Sequence, residues 1–133
     1  MKCVPKAARL PATAGKPALR TRPLIDQKGA KDLVRVFKML ASETRVRLLH
    51  ALERWGELCV TDLAGQVGMA PQAISNQLQR LADRQIVVAR REGNRLFYGI
   101  ADPCVPGLLD LGLCLLEETG KTAKHTKIKG AWQ

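Results

Sequence analysis

Apolar residues recur through the middle of the chain at spacings of three and four, the period of a helix with one buried face. Leu33, Val36, Phe37 and Leu40 share such a face and predict a first helix over Lys28–Leu40. Val46, Leu48, Leu49 and Leu52 predict a second, with Ser42 as N-cap, Glu43 at the positive end of its dipole and Gly56 just past its end. Val60, Leu63, Ala64 and Val67 predict a short third helix, with Thr61 as its cap. Gly68 gives the backbone freedom for a sharp exit. Pro71 suits the first turn of a fourth helix, whose buried stripe is Ile74, Leu78 and Leu81. The period then changes. Residues 86–91 are β-branched, residues 92–94 form a turn, and residues 95–100 return as a second strand. Residues 57–60 read as an extended link with the character of a short strand. Asp102 as N-cap and Pro103 at the first position open a last helix carrying Val105, Leu108, Leu109, Leu113, Leu115 and Leu116.

The polar face of the fourth helix gives this order a chemical meaning. Gln72, Ser75, Asn76, Gln79 and Arg80 are uncharged or positive and rich in donors and acceptors. Base edges in a DNA major groove require such a set. A helix–turn–helix presenting it is a DNA-reading unit, whereas this one stretch alone would also suit an ordinary polar surface helix. The hairpin that follows has the place of a wing, with Arg90, Arg91 and Arg95 near its tip to reach a minor groove or phosphates. Arg45 and Arg47 are expected to point outward, one of them to phosphate. The last helix has more apolar surface than so small a fold can cover, so a partner helix is expected. A two-fold dimer supplies one and places two reading helices for a palindromic site. The fold class is therefore mainly α with a β-hairpin wing: a winged helix–turn–helix dimerised through terminal helices.

Length and charge refine this picture. A chain of 133 residues suits one domain. No apolar run approaches the roughly 18 residues that span a bilayer, so no membrane partner is expected. Lys2 and Lys6 have no apolar stretch behind them, so no secretory signal is expected. Net charge is +10, but residues 27–118 carry only +1 of it. The excess lies in the ends, which favour any polyanion by counterion release without sequence choice. Pro5, Pro11, Pro17 and Pro23 oppose helix, so residues 1–27 read as a disordered basic arm. Residues 28–118 form the DNA-binding and dimerisation domain, and residues 119–133 a basic tail. No enzyme is expected. There is no glycine-rich phosphate loop, and His50 and His125 lack a partner pattern for catalysis.

Several strings, in one order, resemble the ArsR/SmtB family of metal-responsive repressors. They are residues 40–49 (LASETRVRLL), 57–63 (ELCVTDL), 73–81 (AISNQLQRL) and 91–98 (REGNRLFY). The resemblance spans roughly residues 30–118. It implies a homodimer that binds double-stranded operator DNA and lets go when metal binds. It also implies that Gln72, Ser75, Asn76 and Gln79 read bases. Ala70 departs from the pattern, standing where a capping Ser or Thr often precedes the recognition helix.

The resemblance also bears on the effector. The family often carries Cys-x-Cys near residue 59; here Cys59 matches the first and Thr61 replaces the second. At the zinc-type site of the last helix Asp102 and Glu118 match, but Cys104 and Leu115 occupy the histidine positions. Cys59, Cys104 and Cys114 remain, with Cys3 as an additional ligand from the arm. Thiolates without histidine favour soft ions: Hg(II), Cd(II), Pb(II) or As(III). Cys104 and Cys114 are ten residues apart, about 15 Å along a helix, so one helix cannot bring both to one ion. A site shared across the dimer, or two sites, is the alternative. The expected function is a cytoplasmic repressor released by a soft metal or metalloid. A thiol-redox repressor of the same fold, switched by a disulfide or persulfide, is the other reading.

Overall fold

The computed structural model describes residues 15–125, with side chains as far as Thr119. Cys3 and the end of the basic tail lie outside them. The element order is α1 (Gln27–Leu40), α2 (Glu43–Trp55), β1 (Leu58–Cys59), α3 (Val60–Val67), α4 (Pro71–Asp83), β2 (Val87–Glu92), β3 (Arg95–Ile100) and α5 (Cys104–His125). One 3-10 turn, Leu19–Thr21, lies in the exposed stretch before α1.

The caps show why the helices start where they do. Asp26 accepts from the Gly29 amide at 2.8 Å, so α1 starts at Gln27, one residue ahead of the expected Lys28. Ser42 accepts from the Arg45 amide at 3.3 Å, as expected of an N-cap. The α3 start differs from expectation. Thr61 lies inside the helix, and the residue before Val60 is Cys59, which makes no side-chain cap. The chain passes from strand pairing straight into α3, leaving no separate capping residue. Asp62 sits in the first turn, where its charge suits the dipole. Gly68, at φ 70° and ψ 38°, closes α3 in the left-handed region and turns the chain toward α4.

The core is continuous. Leu48, Leu49, Leu63, Ile74, Leu78, Leu81 and Val87 are fully buried and come from α2, α3, α4 and β2. Tyr98 of β3 and Val105 of α5 join them. The extended link before α3 does pair: β1 adds to the wing hairpin in an antiparallel sheet ordered β1-β3-β2. Its register sets Cys59 opposite Phe97, and Phe97 opposite Arg90.

Two helices stay largely outside this core. On α1 only Leu40 is buried, while Leu33, Val34, Val36 and Phe37 are 41–49% exposed. On α5, Leu108, Leu111, Leu113, Leu115 and Leu116 are 36–65% exposed. The α5 helix also runs to His125, past the Glu118 boundary expected from sequence. Between those residues there is one glycine and no proline to stop it. Among the described residues, no helix is long and apolar enough to cross a membrane.

Candidate nucleic-acid interface and thiol positions

Burial of Ile74, Leu78 and Leu81 fixes the rotation of α4. The opposite face then carries Gln72, Asn76, Gln79 and Arg80 exposed and Ser75 half-buried. Gln72 donates from Nε2 to Asn76 Oδ1 at 3.2 Å, one helical turn away. That bond aligns two amides, each retaining unused donors or acceptors. No acidic residue interrupts α4 before Asp83. The helix has Pro71 in its first turn, and Ala70 supplies no side-chain cap, as its apolar side chain dictates.

Arg45 differs from expectation in being half-buried, whereas Arg47 is exposed. Arg45 donates from Nε to Gln77 Oε1 at 2.9 Å and from Nη1 to the Met39 carbonyl at 3.0 Å. Arg47 donates from Nη1 to the Val67 carbonyl at 3.1 Å. Both guanidiniums donate to last-turn carbonyls of α1 and α3, groups that have no partner within their own helices, while Arg47 remains exposed. Helical spacing had marked these residues as polar without showing that such acceptors lie within reach.

The wing arginines also separate. Arg91 and Arg95 are exposed near the tip, and Arg95 lies 6.0 Å from the Phe97 ring centroid. Arg90 is held instead. Its Nε and Nη2 approach Glu57 Oε1 at 2.9 and 2.7 Å, and its Nη1 donates to Glu92 Oε1 at 2.9 Å. Glu57 stands in the extended link before α3, where no sequence spacing marks it as a partner of Arg90. The pairing spans 33 positions, beyond what local spacing signals.

The three described thiol positions fall in different settings. Cys59 is buried on β1 as a free cysteine. Cys104 is half-buried in the first turn of α5. Its amide donates to Asp102 Oδ1 at 2.8 Å. That amide, and secondarily the Cys104 thiol, hold the Asp102 carboxyl below its usual range. Cys114 is buried on α5 and is disulfide-bonded rather than free. Within one protomer, among the described residues, no three His, Cys, Asp or Glu side chains are grouped to hold a metal ion.

Comparison with known proteins adds to this geometry. A family model described as bacterial regulatory protein, arsR family, matches residues 42–88. A transcriptional repressor SmtB homolog of Synechocystis sp. is 39% identical over 79 residues, which are 59% of each protein. The chain thus spans less than two thirds of that repressor. The crystal structure of the AntR antimony-specific transcriptional repressor is similar at TM-score 0.70 and 59% identity, over 81% of this chain and 97% of that one. A homodimeric winged helix-turn-helix DNA-binding domain from Mycobacterium bovis matches at TM-score 0.61 and 35% identity, over 73% of this chain and 91% of that one. The matched residues run from the Ser42 cap through both helices of the helix–turn–helix into the wing, and the likeness to solved structures extends well beyond them. This chain belongs to the arsR family of bacterial regulatory proteins.

Proposed function

We propose that this chain is a homodimeric transcriptional repressor that grips operator DNA and releases it when a soft metal or metalloid ion binds cysteine thiolates. The observation that carries the DNA half is the outward face of α4. Gln72, Ser75, Asn76, Gln79 and Arg80 stand on a helix locked by a fully buried stripe, with Arg91 and Arg95 exposed on the wing beside it. Rigid placement of donors and acceptors lets base edges be read, while the wing arginines add sequence-independent phosphate attraction.

The dimer half rests on α1 and α5. Their exposed leucines, valines and Phe37 form the apolar surface the core leaves uncovered. A two-fold pairing of these helices removes it from water. The similar domain from Mycobacterium bovis is homodimeric.

The effector half rests on ligand chemistry. Cys59, Cys104 and, once its disulfide is reduced, Cys114 are sulfur donors, which suit thiophilic ions. Hg(II), Cd(II), Pb(II) and As(III) fit this set, and the similarity to an antimony-specific repressor adds Sb(III). Among the described residues one protomer groups no three ligands, so the site favoured is one that Cys104 and Cys114 share between subunits at the α5 pairing. Ion binding there would shift the angle between the two α4 helices, and a coupling of about 1–3 kcal/mol changes affinity for DNA about 5–150-fold.

Selection of duplexes from a randomised pool, with sedimentation equilibrium of the same protein, tests this function. A dimer selecting an inverted repeat with half-sites about one helical turn apart is the expected result. A monomer that enriches no sequence would overturn it. The second reading, a thiol-redox switch, has the disulfide at Cys114 in its favour. It predicts duplex release by mild oxidant and none by any thiophilic ion.

A further inference from the structure

The sheet order puts Glu57 and Arg90 on opposite sides of β3. Glu57 precedes β1 and Arg90 lies on β2, the two outer strands. Outer strands of a three-stranded sheet are about 9.6 Å apart, further than a glutamate reaches unaided. Arg90 therefore comes part of the way, its guanidinium lying 5.1 Å from the centroid of Phe97, its partner on β3. Glu57 comes the rest of the way over Gly99. A Cβ added at Gly99 would sit 3.2 Å from Glu57 Cγ. Gly99 has no positive φ, so its backbone does not call for glycine; the crossing side chain does.

The charges on this face are unevenly distributed. Arg90 is bonded to two carboxylates, Glu57 and Glu92. Those hydrogen bonds, Glu57's first, push the Arg90 pKa further upward, so the guanidinium stays charged in the bridge. Among the described residues, Arg91 and Arg95 have no such carboxylate bond. Each exposed ion pair is weak by itself, but three groups braced on a ring restrict one another.

We propose that Glu57 is a positioning residue of the wing: it holds Arg90 across Gly99, leaving Arg91 and Arg95 to meet DNA phosphate. Arg90 thereby fixes the hairpin against β1 instead of serving as a third phosphate contact. This rests on the DNA-binding function proposed above.

The test compares E57Q, R90A, the E57Q/R90A double variant and G99V in the full chain. In the free protein, exchange of the Arg90 Nε–H with solvent is followed by NMR. It is expected to be slow in wild type and to accelerate in E57Q and in G99V, which keeps both charges but blocks the crossing. Unchanged exchange in both overturns the bridge whether or not DNA binds. With a selected duplex, the salt dependence of binding is then measured. Wild type and R90A are expected to share one slope. E57Q is expected to steepen it by about 0.9 as Arg90 is freed to a phosphate, and the double variant to return to wild type. A slope that falls by about 0.9 in R90A, with E57Q unchanged, would make Arg90 itself a phosphate contact and overturn the assignment. Absence of duplex binding by wild type would count against the repressor function, leaving the exchange measurement to judge the bridge.

Discussion

Arg45 and Gln77 meet at 2.9 Å across the seam between α2 and α4, Nε donating to Oε1. The same guanidinium reaches the Met39 carbonyl in the last turn of α1. One side chain therefore ties the reading helix to the C-terminal end of a helix whose apolar face is uncovered. Arg45→Ala should leave both acceptors without this donor and cost about 1–3 kcal/mol, read from the urea midpoint. Arg45→Lys should not restore it, because a single ammonium cannot reproduce the fork. The salt slope of duplex binding should not move, since neither bond involves phosphate. A slope lower by about 0.9 would return Arg45 to the phosphate role expected from its position in the sequence.

The α4 face makes a sharper prediction about sequence choice. Asn76→Ala and Gln79→Ala should each cost about 1–3 kcal/mol on the selected site and relax preference at one base pair. Binding to unrelated duplexes should change little. Arg91→Ala and Arg95→Ala should do the reverse, weakening all duplexes alike and lowering the salt slope by about 0.9 each. Competition binding against single-base variants of the site separates the two behaviours.

Ala70 leaves the N-terminus of α4 without a side-chain cap, and its φ of −65° and ψ of 140° already suit a capping residue. Ala70→Ser should stabilise the fold by about 1 kcal/mol. The urea midpoint should rise with the denaturant slope unchanged. A lower midpoint would mean that the serine hydroxyl cannot reach the α4 amides.

Asp102 connects the start of α5 to pH. Its carboxyl is held below the usual range by the Cys104 amide and thiol, so folding favours its ionised form. A depressed carboxylate contributes stability above its unfolded pKa of about 3.9, and loses it as pH falls through the folded value. Asp102→Asn keeps a capping oxygen but not the charge. The midpoint difference between wild type and this variant should be constant above about pH 5 and shrink below about pH 4. A difference that does not change with pH would show that the charge contributes nothing.

Much of this architecture was legible in the residues because it is periodic. The stripes Leu48–Leu49–Leu52 and Ile74–Leu78–Leu81 declare which face is buried, and that alone orients Gln72 and Gln79 outward. Ser42 and Asp102 declare helix starts through local chemistry. Partners set by tertiary folding were not legible. Arg47 is polar at helical spacing, yet its target is a carbonyl of α3 brought close only by packing. Glu57 finds Arg90 only because β1 pairs with β3 and Gly99 leaves the crossing open. The cysteines are the furthest case. Their residue type indicates soft-ion chemistry, but among the described residues no three such ligands are grouped.

The most direct test of the whole account follows fluorescence anisotropy of a selected, labelled duplex bound to the reduced protein while Hg(II), Cd(II), Pb(II), As(III), Sb(III) or Zn(II) is added. The account predicts release by at least one thiophilic ion, with a thiolate-to-metal ultraviolet band rising at the same stoichiometry. It also predicts that release is lost in Cys104→Ser and Cys114→Ser, while affinity for the duplex is kept. Release that persists in both variants, or a duplex that stays bound under every ion, would contradict it.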